Sequence, residues 1–132
     1  MMPARKVNPR AAYRMSQQQR IADSASLAER FPVLKSLRVQ LEFFDRTGLT
    51  RNGGMKIKPN LAHAKSMLYF NCVHGECIGG DFDLSTILAQ AIAGKRKAVT
   101  GELRCQGTRA PKAGKEGVAC QNILRYKLTL VY

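Results

Sequence analysis

Leu37-Arg38-Val39-Gln40-Leu41-Glu42-Phe43 alternates apolar and polar side chains without a break. A period of two puts one set on each face of an extended chain, so the segment predicts a half-buried β-strand. The run from Ile123 to Tyr132 repeats the pattern: Leu124, Tyr126, Leu128, Leu130 and Tyr132 alternate with Arg125, Lys127 and Thr129. Working inward, Asp45 to Gly54 carries turn residues, and Met55 to Lys58 predicts a short return strand stopped by Pro59. Ser66 to Asn71 predicts a third strand. Ala98 to Cys105 predicts a fourth, with Val99, Leu103 and Cys105 on one parity and Thr100, Glu102 and Arg104 on the other.

One segment between these strands changes period. Leu84, Ile87, Leu88, Ala91 and Ile92 fall at i, i+3, i+4, i+7 and i+8, the apolar stripe of an amphipathic helix. Asp83 is its expected cap and Gly94 its expected end, and Lys95-Arg96-Lys97 suit the negative pole of its dipole. Nearer the start, Ser16-Gln17-Gln18-Gln19 has the spacing of a capping box, predicting a helix from Ser16 to Phe31 that Pro32 ends. Its apolar stripe of Ile21, Ala25, Ala28 and Phe31 is thin, as in a helix that packs weakly or orders on a partner. Residues 1–15 hold Arg5, Lys6, Arg10 and Arg14, no acid, and a Pro9 expected to interrupt any helix. The fold class is therefore α+β: a small antiparallel sheet of about five strands, with a helix between strands three and four. A basic arm and N-terminal helix over residues 1–35 precede a domain spanning 36–132.

The 132 residues carry 22 Lys+Arg against 9 Asp+Glu, a formal +13, and are 45% apolar. That apolar share builds a core and excludes a wholly disordered chain. No apolar run approaches the roughly 18–20 residues of a membrane helix. Met1-Met2-Pro3-Ala4-Arg5-Lys6 leads into no apolar h-region, so the expected location is cytoplasmic rather than secreted. The Arg-bearing, acid-free start also matches an organellar transit peptide in composition, although Pro9 and scarce serine argue against one. The charge is uneven: +5 over residues 1–35, +4 over 36–71, −3 over 72–94 and +7 over 95–132. Two of the four cysteines lie in the acidic island of Glu76, Asp81 and Asp83.

Cys72-x4-Cys77 and Cys105-x14-Cys120 place cysteines at the ends of predicted strands. A hairpin over the last two strands brings Cys105 and Cys120 together at its mouth. If Cys72 and Cys77 end beside it, four thiolates meet, the ligand set of a structural zinc site. Four isolated buried thiols are the alternative, since free cysteine is among the most buried residue types. Disulfides rank below both in a chain without an export signal. Residues 70–132 resemble a zinc ribbon, in which two cysteine-bearing turns meet beside a small sheet, although the ribbon's two C-x2-C knuckles are replaced here by wider spacings. The resemblance implies zinc on Cys72, Cys77, Cys105 and Cys120. His74 is an alternative ligand or a donor to one, and His63 is expected on the surface.

Enzyme motifs are incomplete. His74-Gly75-Glu76 matches the H-x-E half of a zinc deaminase, but the P-C-x-x-C half is missing. A thiol nucleophile at Cys72 or Cys77 with His74 as base needs an orientation that one tight loop seldom gives. Gly79-Gly80 lacks the G-x-x-x-x-G-K-[ST] phosphate loop. The expectation is a non-enzymatic module, with a zinc hydrolase or deaminase-like enzyme as a remote alternative.

A surface this basic attracts polyanions, and nucleic acid or a nucleoprotein is the expected partner. Arg38, Arg104, Arg125 and Lys127 share one sheet face if their strands are neighbours. Arg109, Lys112 and Lys115 add a loop, and Arg5, Lys6, Arg10 and Arg14 add the arm. Tyr69, Phe70, Tyr126 and Tyr132 are candidates for base stacking, with a core position as the alternative for Phe70 and Tyr126. A protein-interaction or adaptor module docking an acidic partner is the second class. The sequence leaves the oligomeric state open.

Overall fold

The computed structural model of the chain describes residues 9–73, 77–78, 80–109 and 119–132. Their elements run α1 (Pro9–Ala22), α2 (Leu27–Arg30), β1 (Ser36–Phe44), β2 (Arg51–Ile57), β3 (Tyr69–Asn71), β4 (Cys77–Ile78), β5 (Asp81–Asp83), α3 (Ser85–Ala93), β6 (Ala98–Arg104), β7 (Thr108–Arg109) and β8 (Ile123–Val131). The architecture is α+β. A four-stranded antiparallel sheet has the order β2-β1-β8-β6, and two-stranded sheets pair β3 with β5 and β4 with β7.

The alternating segments form the centre of the main sheet. β1 and β8 pair along their whole length, from Ser36↔Val131 to Phe44↔Ile123. Directly paired residues share a face. Leu37, Val39, Leu41 and Phe43 therefore turn to the same side as Leu130, Leu128 and Leu124, and all seven are buried. Leu84, Leu88, Ala91 and Ile92 of the α3 region complete this core, as their helical spacing predicts. Asp83 does not occupy the N-cap position, which falls to Leu84. Its carboxylate still accepts from the Ser85 N–H at 2.8 Å, one residue into the helix. Gly94 closes α3 as expected.

The sheet has four strands rather than five. The segment predicted as the third strand shortens to Tyr69–Asn71 and pairs with Asp81–Asp83 instead. There Phe70 packs against the core. Phe70 pairs with Phe82, which is fully buried and packs 6.0 Å from Phe43, between ring centroids.

The N-terminal helix also differs from expectation. α1 starts at Pro9, which does not interrupt it: proline lacks the N–H that a first-turn residue leaves unpaired, and its fixed φ suits that position. Ser16 lies inside α1, and the Gln19 amide donates to Asp23 at 3.0 Å instead of closing a capping box. The helix breaks after Ala22 and a new one starts at a cap four residues later, Ser26. Ser26 Oγ accepts from the Glu29 N–H at 3.2 Å, the Ser-x-x-Glu spacing of a real box. Leu27 and Ala28 donate to Ala64 and Leu61 carbonyls, and buried Leu27 joins the core. No helix among the described residues is long and apolar enough to cross a membrane.

Candidate metal centre

The four cysteines come from four places and meet at one end of the main sheet. Cys72 follows β3, Cys77 opens β4, Cys105 follows β6 and Cys120 precedes β8. Backbone bonds fix their positions. Cys105 N–H donates to Asn122 O at 2.8 Å, and Cys105 O accepts from Gln121 at 3.2 Å, continuing the β6–β8 pairing past its last residues. Cys120 N–H donates to Gly107 O at 2.9 Å, and Cys72 N–H to Gly80 O at 3.1 Å. Gln121 takes a left-handed backbone, φ 53°, between Cys120 and Asn122. A side chain there costs on the order of 1–2 kcal/mol. The twist sits where the strand must turn for Cys120 to reach the cluster.

The ligand atoms of all four lie within 4.8 Å of one another. Cys72 Sγ is 3.7 Å from Cys120 Sγ, and Cys77 Sγ is 3.5 Å from Cys105 Sγ. None of the four is in a disulfide, and each is at most 3% exposed. Two glycines make room for them. A Cβ at Gly80 would overlap both Cys77 Sγ and Cys105 Sγ, and one at Gly107 would stand 2.5 Å from Cys77 Sγ. The Gly107 N–H points at Cys105 Sγ (3.4 Å), and the Asn122 side-chain amide at Cys72 Sγ (3.9 Å). Donors aimed at sulfur stabilise thiolate charge.

Without a cation, burial pushes the Cys77 thiol up to about 12. The Cys105 thiol is also raised, first by its hydrogen bond with Cys72 and then by burial. Cys77 and Cys105 are therefore held where they resist becoming anions by themselves. A metal ion bound there would supply the missing positive charge, and its binding would release the thiol protons. The cluster is a potential metal site, as the cysteine spacing led us to expect. The chain matches no protein-family model, no curated protein and no solved structure.

The other candidate residues divide by place. Arg5, Lys6, His74, Lys112 and Lys115 lie outside the described residues. Arg10 falls on α1 and Arg109 on β7. Arg14 is half-buried on α1. Register puts Arg38, Arg104, Arg125 and Lys127 on the outer face of the main sheet, opposite the core. Near the cysteines, that face satisfies its own charges. Arg125 pairs with Glu102 at 3.8 Å and stacks over Phe44 at 4.4 Å, and Arg51 pairs with Glu42 at 3.7 Å. Arg104 donates to the Arg46 carbonyl at 3.3 Å. Lys56 and Lys58, absent from the sequence-based set, lie toward the face's other end. Their signal was the alternation Met55-Lys56-Ile57-Lys58 itself.

Three of the four aromatic candidates pack against the core, whereas half-buried Tyr69 pairs with Asp83 on the other parity of β3. Tyr126 packs against the core, and the Tyr132 hydroxyl lies 2.7 Å from the Arg96 carbonyl. Phe70 is also packed against the core. Asp81 of the acidic island is half-buried and takes a hydrogen bond from Gln17 of α1. Burial raises its carboxyl above the ordinary value. Tyr13 of α1 is pushed up to about 12, first by burial and then by the Asp81 charge. The acidic segment thus meets the N-terminal helix.

Proposed function

We propose that this chain is a non-enzymatic, zinc-ribbon-like module that binds nucleic acid or a nucleoprotein through its basic surface, in a reducing compartment such as the cytoplasm. The observation that carries the zinc half is the convergence of four buried sulfurs. Zinc with sulfur at about 2.3 Å in a tetrahedron separates its ligands by about 3.8 Å. The sulfur pairs at 3.7 and 3.5 Å are close to that spacing. Four protein ligands fill the shell of a structural zinc, whereas a catalytic zinc keeps a position open for water. Burial of every sulfur supports the structural role. The nucleic-acid half rests on the formal +13 and on the basic residues of the outer sheet face.

Titration of reduced, metal-free protein with cobalt(II) tests the site. The expected result is intense visible absorption of a tetrahedral thiolate complex, saturating at one equivalent and displaced by zinc. Absence of those bands overturns the zinc half. Failure of zinc-loaded protein to bind any oligonucleotide at low salt overturns the other.

A further inference from the structure

Cross-strand register places Lys56 beside Gln40 and Gln40 beside Lys127, in one row across three strands of the outer sheet face. The next row holds Arg38 beside Thr129, with Lys58 just beyond the end of β2. These six residues, with the neighbouring backbone, line one groove of about 500 Å³. Arg38, Lys56, Lys58 and Lys127 are all exposed. Among the described residues, no carboxylate lines the groove and no ion pair engages its four cations. Four like charges gathered around one groove repel one another. Elsewhere on the same face, Glu42 and Glu102 relieve that repulsion. Here an external anion is what would relieve it.

We infer that this groove is the phosphate-binding track of the protein, and that it grips the backbone of a nucleic acid without reading its bases. The inference rests on the nucleic-acid reading above and specifies where and how that binding occurs. Residues two apart on a strand stand about 6.6 Å from each other, so Lys56 and Lys58 present charges at regular steps. A nucleic acid strand carries its charges at regular intervals, unlike an acidic protein surface. Lysine ammoniums act as point charges on flexible stems, suited to phosphate rather than to base edges. Tyr126 packs into the core on the opposite face, and among the described residues no aromatic side chain lines the groove. The chemistry present positions a backbone and leaves sequence unread.

Binding of zinc-loaded full-length protein to a mixed-sequence single-stranded oligonucleotide, measured across a salt series, tests this. Each phosphate contact on a single strand adds about −0.7 to the slope of log K against log salt, so four contacts predict about −2.8. The K56Q/K58Q variant should lose about 1.4 of that slope, or about 25-fold in affinity at 0.1 M salt relative to 1 M. R38Q/K127Q, on the central strands, should lose a similar amount. R46Q/R51Q removes the same charge from the cysteine end and should leave the slope unchanged. Zinc content and circular dichroism of each variant confirm that it is folded. Unchanged slopes in both groove variants, or an equal loss in R46Q/R51Q, overturn the groove while leaving nucleic-acid binding intact. Wild-type protein that binds no oligonucleotide but binds poly-glutamate overturns the nucleic-acid reading itself in favour of an acidic protein partner.

Discussion

The two ends of the sheet's outer face carry similar basic side chains and employ them differently. At the cysteine end, Arg51 and Arg125 face Glu42 and Glu102, and Arg104 bonds a main-chain carbonyl. At the far end, Arg38, Lys56, Lys58 and Lys127 surround a groove with no carboxylate among the described residues. A charge count treats both ends alike. Their neighbours separate them: charge at the cysteine end is compensated within the fold, and uncompensated charge is available to a ligand.

The largest test strikes the cysteine end. Structural zinc contributes about 10–16 kcal/mol of apparent binding energy in small zinc-finger peptides. A domain's whole stability is about 5–15 kcal/mol. Chelation, or Cys105→Ser, should therefore abolish the cooperative thermal transition or lower it by tens of degrees, as followed by circular dichroism. An unchanged transition after verified metal removal would separate the cluster from stability.

Gly107→Ala is a subtler version of the same attack. Its Cβ would stand 2.5 Å from Cys77 Sγ and also crowd the Gly80 backbone. The expected outcome is weaker zinc retention in a chelator competition, with a stability loss of about 1–3 kcal/mol from overpacking. Retention equal to that of wild type would show that the glycine is not needed to seat the sulfurs.

The third test converts one end into the other. E42Q/E102Q strips the cysteine end of both paired carboxylates. Each pair is roughly half exposed, so its loss should cost no more than about 1 kcal/mol, seen as a small shift in denaturant midpoint. Freed of their partners, Arg51 and Arg125 should steepen the salt dependence of oligonucleotide binding by up to about 1.4. No change would mean that compensation by glutamate is not what distinguishes the ends.

The smallest effect concerns α1, which meets the acidic segment rather than either end of the sheet. Tyr13 holds its proton to about 12 against an ordinary 10.0, because it is buried beside Asp81. The folded state therefore binds this proton more tightly than the unfolded state. The stability it contributes is complete below about pH 10 and disappears as pH rises through about 12. Tyrosinate absorbance should show a late-titrating component that Tyr13→Phe removes.

Much of the framework was legible because long periodic segments repeat the same instruction many times. β1, β8 and α3 each place four or more apolar residues on one face, β6 adds Val99 and Leu103, and tertiary packing agrees with every one. Two- and three-residue strands hold no period, so β4, β5 and β7 left no signal. β3 was visible as an extended segment, but not its partner, because three-residue β5 holds no period of its own. The start of α1 was hidden by treating Pro9 as a breaker without its position in the first turn. Convergence of the cysteines was legible since the β6–β8 hairpin forces Cys105 toward Cys120. The groove was only half legible: Lys56 and Lys58 join Arg38 and Lys127 through the β1–β2 register, which spacing along the chain does not specify.

Metal analysis of protein purified without added metal, combined with thiol titration, tests the central claim most directly. One zinc per chain, with four thiols that react only after chelation, is the predicted result. No zinc and four freely titrating thiols would contradict it.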